Sequence, residues 1–251
     1  EVYNDLIYKG NYNHLTFHRL AGIYEKLGKK KEALKGKGEI NNKFNAFIMQ
    51  HLANNEIETH FLKLIDKNES LVKRLDMLPV ECVVRNIATG SLTKRLGIEE
   101  GTVLDYPLIE YCLKNDDLGD PLVSREHILS FNWMNIMELE LINDQCKRIN
   151  DFLQGMFRGV GIKLVDFKVE FGRLKNSNDV ILADEISPDT CRLWDMNTEK
   201  KLDKDRFRKN LGNLIEAYQD VARRLGILHE QSNIRPIKFP KPKAVKLKKS
   251  K

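Results

Sequence analysis

The chain has 251 residues, of which 41% are hydrophobic and 31% are charged, which is typical of a soluble globular protein that buries a core as one large domain or two lobes. No apolar run reaches the about 18 residues that a membrane-spanning helix needs, and the polar, mixed first residues do not indicate a signal peptide. The net charge of +6 belongs to the tail, where residues 235–251 carry eight basic and no acidic side chains, so the body needs no nucleic acid partner to explain its charge.

The four cysteines are widely spread and contain no Cys-x-x-Cys pair. This spacing argues against a zinc site and fits reduced thiols in a cytoplasmic protein. We therefore predict a cytoplasmic location.

Residues 1–43 are the least regular part of the chain. Strand-like sequence at the start suggests that some N-terminal residues are missing, and residues 26–43 form a lysine- and glycine-rich segment. Its lysines could contact phosphate or simply lie in a solvated loop, and both interpretations stay open; no P-loop or dinucleotide-binding glycine motif is present. A helix capped by Asn41 or Asn42 is predicted next, with Phe44 and Leu52 on its apolar face.

Residues 57–86 predict a set of strands with turns at residues 66–68 and 77–79. Arg85 ends a buried-looking strand and is followed by a glycine-serine pair, for which we predict Ser91 as the N-cap of a short helix closed by Gly97. A helix start of this kind beside an arginine is suited to bind an anion. Plain helix capping explains the same residues equally well.

Residues 105–123 predict a strand that runs into an acidic loop with one lysine, for which a surface turn is the default and metal or substrate contact the alternative. Residues 133–158 then predict one long amphipathic helix. Its expected core stripe includes Ile136, Met137 and Leu141, together with later apolar residues such as Ile142 and Cys146. A last helix is predicted from near Asp203 to Gly226.

The chain is organised around an acidic hairpin at residues 164–195. Strict alternation in its first half places Val165, Phe167, Val169 and Phe171 on one face and Asp166, Lys168 and Glu170 on the other. A polar turn at residues 173–179 predicts an antiparallel partner strand that ends at Asp184 and Glu185. The clustered carboxylates suit Mg²⁺ and polyphosphate, although alternation alone favours a solvent-exposed face.

Six stretches together resemble the SAICAR synthetase family. They are residues 38–43 (Gly-Glu-Ile-Asn-Asn-Lys), 78–86 (Leu-Pro-Val-Glu-Cys-Val-Val-Arg-Asn), 89–97 (Thr-Gly-Ser-Leu-Thr-Lys-Arg-Leu-Gly), 114–121 (Lys-Asn-Asp-Asp-Leu-Gly-Asp-Pro), 164–172 (Leu-Val-Asp-Phe-Lys-Val-Glu-Phe-Gly) and 182–195 (Leu-Ala-Asp-Glu-Ile-Ser-Pro-Asp-Thr-Cys-Arg-Leu-Trp-Asp). They occur in the family's order and span roughly residues 36 to 226.

The resemblance implies a two-lobed α+β fold with antiparallel sheets and an ATP cleft similar to those of kinases and ATP-grasp enzymes. It implies an N-terminal ATP-covering lobe (1–76), a substrate- and metal-binding lobe (77–231) and a basic, disordered tail (232–251). The family's N-terminal hairpin of ATP-covering lysines has no counterpart here.

The implied reaction is the ATP-dependent joining of L-aspartate to the carboxylate of the imidazole nucleotide CAIR in purine synthesis. The products are SAICAR, ADP and phosphate, and the route passes through an acyl phosphate. ATP, CAIR and L-aspartate are the implied partners, Mg²⁺ the cofactor, and a homodimer the implied assembly.

The resemblance also assigns roles to individual residues. Glu170 and Asp184 correspond to the metal carboxylates. Lys168, Asp166 and Arg192 are implied in catalysis. The remaining assignments are substrate binding for Arg85, Ser91, Lys114, Asp120 and Arg192, and ATP binding for Lys73, Leu75, Glu81 and Lys168.

Two alternatives stay open. A kinase-like small-molecule phosphotransferase would share the lobes, the lysine and the carboxylates, but it would form ADP without aspartate. A nucleic-acid-binding protein driven by the lysine tail would lose its salt-sensitive binding when truncated at Gln231.

Overall fold

The computed structural model describes residues 36–228, so the predictions made for residues 1–35 and for the tail lie outside the described residues. The helices are α1 (Lys37–Asn54), α2 (Ser91–Leu96), α3 (Arg125–Ser130), α4 (Ile136–Arg158), α5 (Asp205–Arg208) and α6 (Leu214–Arg224), with a 3-10 turn at Asp116–Leu118. The strands are β1 (Phe61–Leu64), β2 (Ser70–Val72), β3 (Leu75–Ile87), β4 (Val103–Leu113), β5 (Leu122–Val123), β6 (Ile162–Leu174), β7 (Val180–Ala183) and β8 (Cys191–Asp195).

Six strands form one sheet. Five of them follow the order β5-β4-β3-β6-β7, and the sixth, β8, pairs with residues 162–167 of β6, whereas β7 pairs with residues 170–173. Strands β1 and β2 form a small separate sheet. Every named pairing is antiparallel. Helix α4 packs on β6, β3 and β4, while α1 contacts α6 and β1. The predicted α+β class with antiparallel sheets is therefore confirmed. No helix among residues 36–228 is long and apolar enough to cross a membrane.

Helix α4 buries a narrower stripe than predicted. Its fully buried apolar residues recur at helical spacing and are Leu139, Ile142, Cys146, Ile149, Leu153 and Phe157. The core prediction for Ile136, Met137 and Leu141 is wrong, since these side chains are 50%, 80% and 42% exposed. Met137 and Leu141 are offset from the stripe by one or two positions, and each position rotates a side chain by about 100° around the helix axis. Ile136 lies in the first turn of the helix.

The predicted turn at residues 77–79 is also wrong, because β3 continues without interruption through Pro79. The register of β3 against β6 shifts between Met77 and Glu81, which is a bulge. Proline lacks an N–H and is tolerated in a sheet at such irregularities. The Pro79 carbonyl accepts a hydrogen bond from the Lys114 N–H at 2.9 Å, so the bulge ties β3 to the end of β4.

Two helices differ from the prediction in their boundaries. Helix α1 begins at Lys37 after Gly36, so neither Asn41 nor Asn42 caps it. Their side chains instead reach Asp189 and the residue 66–70 turn, contacts that local sequence does not reveal. The predicted last helix is split into α5 and α6, because Gly212 and Asn213 adopt left-handed conformations with φ of 69° and 51°.

Helix α2 confirms the predicted short helix, and Gly97 ends it with φ of 66°. Its N-cap is Gly90, and Ser91 is the first helical residue and makes no side-chain capping bond. The Ser91 hydroxyl accepts a hydrogen bond from Arg85 Nη2 at 3.1 Å instead. The capping prediction for Ser91 is therefore wrong, because the helix begins one residue earlier than predicted and Gly90 takes the N-cap position.

Strands β6 and β7 form the predicted hairpin, with Glu170 opposite Ala183 and Arg173 opposite Val180. The predicted alternation holds for Phe167, Val169 and Phe171, which all lie in the main core. Val165 does not share their face, because the β6–β8 register shifts between Leu164 and Asp166. It packs instead in a separate cluster with Ile87 and Trp194.

Candidate active site

Polar side chains converge at the centre of the large sheet, where β3 and β6 run side by side. Arg85 lies directly opposite Asp166, Val83 opposite Lys168, and Glu81 opposite Glu170. Residues two apart on a strand share a face, so these polar side chains form a row across two strands. The apolar residues between them on β6 face the main core, which is why the row points the other way.

One end of the row is an acidic group made of Glu81, Glu170, Asp184, Lys168 and Lys114. Lys168 Nζ lies 2.7 Å from Glu170 Oε1, 3.1 Å from Glu81 Oε2 and 3.6 Å from Asp184 Oδ2. Lys114 makes a short ion pair with Glu170. Three carboxylates, two within β3 and β6 and one just after β7, thus surround one ammonium, and a second lysine reaches them from the loop after β4.

Electrostatics favour the charged forms of Lys168 and Glu170 within the acidic group. Burial alone would lower the pKa of Lys168, but Asp184, Glu170 and Glu81 outweigh burial and raise this pKa above its usual value. Burial opposes ionisation of Glu170, yet Lys168 and Lys114 hold its pKa below the ordinary value. Asp184 behaves differently, since burial and then repulsion by Glu170 raise its pKa. The group contains three carboxylates and two lysines. One carboxylate therefore has no lysine to neutralise it, which favours the binding of a further cation.

Asp184 is held by the loop that follows β7. Its backbone is left-handed, with φ of 58°, and the loop is anchored by the buried Asp189. The Asp189 carboxylate forms an ion pair with Lys37 Nζ at 2.7 Å and accepts hydrogen bonds from Asn41 Nδ2 at 2.6 Å and Tyr218 Oη at 2.5 Å. Helices α1 and α6 therefore fix the loop that positions Asp184.

The other end of the row is an arginine group made of Arg85, Asp166, Arg192, Ser91, Glu110 and Asp205. Asp166 Oδ2 accepts from Arg85 Nη1 at 3.0 Å and from Arg192 Nη1 at 2.6 Å. Arg85 Nε also donates to Glu110 at 2.6 Å, and Arg192 Nε donates to Asp205 at 2.9 Å. One aspartate thus aligns two guanidinium groups, which are suited to bind a phosphate or carboxylate by their remaining N–H groups.

The structure brings most of the predicted residues together, with three exceptions. Lys73 forms an ion pair with Glu58 at 2.6 Å. Leu75 lies opposite Leu174 at the far end of β6, four residues along that strand from the partner of Glu81, which is roughly 13 Å. Asp120 lies in the turn after the acidic loop, where its Oδ1 accepts from the Asn115 N–H at 3.0 Å. These contacts are with residues outside the row.

Sequence reasoning missed Glu110 and Asp205, which complete the arginine group. Glu110 lies on β4 opposite Val83, and Asp205 begins α5. Strand alternation places Glu110 on a defined face, but its arginine partner is 25 residues away in the chain. For Asp205, no local signal distinguishes it from the acidic and basic residues around it.

The donor set of the acidic group fits Mg²⁺. Glu170 and Asp184 supply hard oxygen ligands, which is the type and number that Mg²⁺ takes from proteins when substrate phosphates and water complete its shell. Among residues 36–228, no group of three or more His, Cys, Asp and Glu side chains forms a complete metal site by itself. Two carboxylates suit a Mg²⁺ ion that arrives with a nucleotide.

Comparisons with known proteins agree on one family. The family described as SAICAR synthetase matches residues 21–225. The phosphoribosylaminoimidazole-succinocarboxamide synthase of Pelagibacter ubique is 59% identical over 222 residues, which cover 88% of this chain and 85% of the relative.

Two solved structures are similar as well. The phosphoribosylaminoimidazole-succinocarboxamide synthase of Ehrlichia chaffeensis has a TM-score of 0.78 at 50% identity. The match covers 80% of this chain and 86% of the Ehrlichia chain. A type-2 SAICAR synthetase in complex with ADP has a TM-score of 0.75 at 43% identity, with 79% and 84% covered.

Proposed function

This chain belongs to the SAICAR synthetase family, and from that premise we propose that it is an ATP-dependent ligase of purine biosynthesis. It joins the amino group of L-aspartate to the carboxylate of CAIR and releases SAICAR, ADP and phosphate. The relatives carry the name of this synthase, and a structural neighbour binds ADP. These similarities favour the ligase over a kinase-like phosphotransferase.

The observation that supports the proposal most directly is the pair of charged groups on one sheet face. Asp166 in the arginine group and Glu170 in the acidic group are four residues apart on β6, roughly 13 Å along the strand. CAIR carries a phosphate at one end and a carboxylate at the other. The two guanidinium groups suit the phosphate, and the acidic group with its lysines suits the carboxylate that reacts with ATP.

Glu170 and Asp184 are the proposed metal carboxylates. When bound there with ATP, Mg²⁺ supplies charge neutralisation on the transferring phosphoryl group. Lys168 contacts both carboxylates and offers its ammonium to the same phosphoryl oxygens. Lys114, paired with Glu170, is proposed to bind substrate from the loop that also carries Asp120.

At the arginine group, Arg85, Ser91 and Arg192 are proposed to bind the anionic end of CAIR. Asp166 orients both arginines through its Oδ2 atom. On the ATP side, the segment from Lys73 to Leu75 is proposed to read adenine through its backbone. Glu81 is proposed to contact the ribose, although its present partner is Lys168.

A carboxylate is a poor electrophile, so the CAIR carboxylate must be activated before an amine can attack it. A CAIR carboxylate oxygen first attacks the γ-phosphorus of ATP, and ADP leaves. The aspartate amine then attacks the carbonyl carbon of the acyl phosphate, phosphate leaves, and the nitrogen loses a proton. The side chains position the reactants and neutralise charge, and Lys168 holds positive charge where the phosphoryl group moves.

The division of the chain follows the same proposal. Residues 1–76 form the ATP-covering lobe, residues 77–231 the substrate and metal lobe, and residues 232–251 the basic tail. A homodimer in the cytoplasm is proposed on the family's habit. The separate β1-β2 sheet is consistent with a lobe boundary near the start of β3.

Steady-state ADP release with CAIR, L-aspartate and Mg-ATP tests the function. We expect continuous ADP formation only when CAIR and aspartate are both present. Omission of aspartate is the matched control for the phosphotransferase alternative. Equal ADP formation without aspartate would refute the ligase and favour the phosphotransferase.

A further inference from the structure

Glu100, in the turn between α2 and β4, binds two separate segments of the chain through a single oxygen. Its Oε1 accepts hydrogen bonds from Thr89 Oγ1 at 2.8 Å, Lys201 Nζ at 2.9 Å and Lys209 Nζ at 3.1 Å. We call these four residues the Glu100 clamp. Hydrogen bonds from Lys201 and then Thr89 lower the pKa of Glu100 to about 2, so the clamp is charged at any physiological pH.

The first clamped segment forms one wall of the arginine group. Thr89 is fully buried, and Gly90 follows it with φ of 63°. A Cβ on Gly90 would lie only 2.8 Å from Arg192 Nη2, so the Gly90 backbone rests directly on that guanidinium. The position of residues 89–91 therefore limits where the Arg192 side chain can lie.

The second clamped segment holds the opposite side of the same guanidinium. Asp205, which accepts from Arg192 Nε at 2.9 Å, lies between the two clamp lysines in the chain. The Lys209 N–H bonds the Asp205 carbonyl at 2.8 Å, so a shift of Lys209 moves Asp205. Lys201 is fixed near β8, where its Nζ lies 5.3 Å from the centre of the Trp194 ring.

We propose that Glu100 is a positioning residue for the arginine group: it fastens residues 89–91 to residues 201–209, so that Gly90 and Asp205 hold Arg192 from two sides. The inference rests on the proposed function, in which Arg192 binds the anionic end of CAIR. Glu100 acts through the two segments it joins, since its hydrogen bonds within residues 36–228 go to the clamp partners alone. It is therefore distinct from the residues that contact substrate.

A purely structural role for Glu100 predicts a different outcome. Its side chain is 44% exposed, and exposed ion pairs contribute little to stability. Loss of such a pair would leave the kinetics unchanged or affect every substrate alike. Loss of a positioning contact should instead weaken the binding of one substrate, because only CAIR is expected at the arginine group.

The kinetic test uses the full chain with Glu100→Ala and Glu100→Gln. We expect the KM for CAIR to rise roughly tenfold in the alanine variant and less in the glutamine variant, which retains an acceptor for Thr89. The KM for ATP and the kcat at saturating CAIR should stay within about twofold. Glu140→Gln is the control, since Glu140 is an exposed acid paired with Arg125 on a distant helix. An unchanged KM for CAIR, or equal rises for all substrates, would overturn the proposal.

A second measurement does not depend on activity. The chain has two tryptophans, so Trp133→Phe leaves Trp194 as the only one. Acrylamide quenching of Trp194 should increase in the Glu100→Ala variant, because Lys201 is released from its place over the ring. Unchanged quenching would refute the clamp even if CAIR binding changed. If the unmodified chain forms no ADP that depends on CAIR and aspartate, the proposed function is refuted instead. The quenching measurement then tests the Glu100 clamp by itself.

Discussion

Lys168 Nζ donates to Glu170 Oε1 at 2.7 Å, although the two residues are only two positions apart on β6. Glu81 lies directly across from Glu170 on β3, an arrangement of like charges that destabilises a sheet unless a cation intervenes. Lys168 contacts both carboxylates. It therefore holds the acidic group together before any substrate arrives.

Lys168→Met should lower kcat by roughly 100-fold or more, because it removes positive charge from the site of phosphoryl transfer. ADP release under saturating substrates measures the loss, and circular dichroism checks the fold. Lys163→Met on the same strand is the control, since Lys163 pairs with Glu199 outside the site. Turnover close to the unmodified rate would contradict the role of Lys168.

Glu170→Gln and Asp184→Asn should each abolish Mg-ATP turnover while the chain stays folded, because each removes one metal carboxylate. The measurement is ADP release across a Mg²⁺ titration, with thermal unfolding as the fold check. Asp179→Asn, in the exposed turn before β7, serves as the matched control. Near-normal turnover in both site variants would reject the metal assignment.

Gly90→Ala should raise the KM for CAIR and lower the free energy of unfolding by about 1–2 kcal/mol. The new methyl group meets Arg192, and φ of 63° strains any side chain. Gly97→Ala separates the two effects, since Gly97 has φ of 66° but open space around its Cβ position. It should lose stability without a change in KM. If both variants change KM equally, the contact with Arg192 is not what matters.

Stability should fall at acidic pH through His60. Burial lowers the pKa of His60 to about 4, so between pH 6.5 and pH 4 the unfolded chain binds a proton that the folded chain does not. This difference makes stability fall as the pH falls, by roughly 2 kcal/mol between pH 8 and pH 5. Urea denaturation at both pH values measures the loss.

His60→Gln should remove that part of the pH dependence, whereas His51→Gln, at an exposed position on α1, should leave it in place. An identical pH dependence in the unmodified chain and the His60 variant would show that other groups control acid stability. The comparison uses differences between pH values, so it does not require the two variants to be equally stable at pH 8.

The sequence by itself determined the features that depend on local periodicity. The β6–β7 hairpin followed from strand alternation and a polar turn, and the end of the short helix at Gly97 followed from a local stop signal. The family resemblance also rested on contiguous stretches of residues. The main face of the hairpin was therefore predictable, apart from Val165, whose side a bulge reverses.

Only the tertiary structure decided which charges meet. Arg85 and Asp166 are 81 residues apart in the chain, and their pairing depends on the register of β3 against β6. Ser91 was predicted as a cap but bonds Arg85, and Met137 was predicted in the core but is exposed. The physical reason is the same in each case: a residue's partner is set by the packing of distant elements, whereas local sequence specifies only the face on which the residue stands.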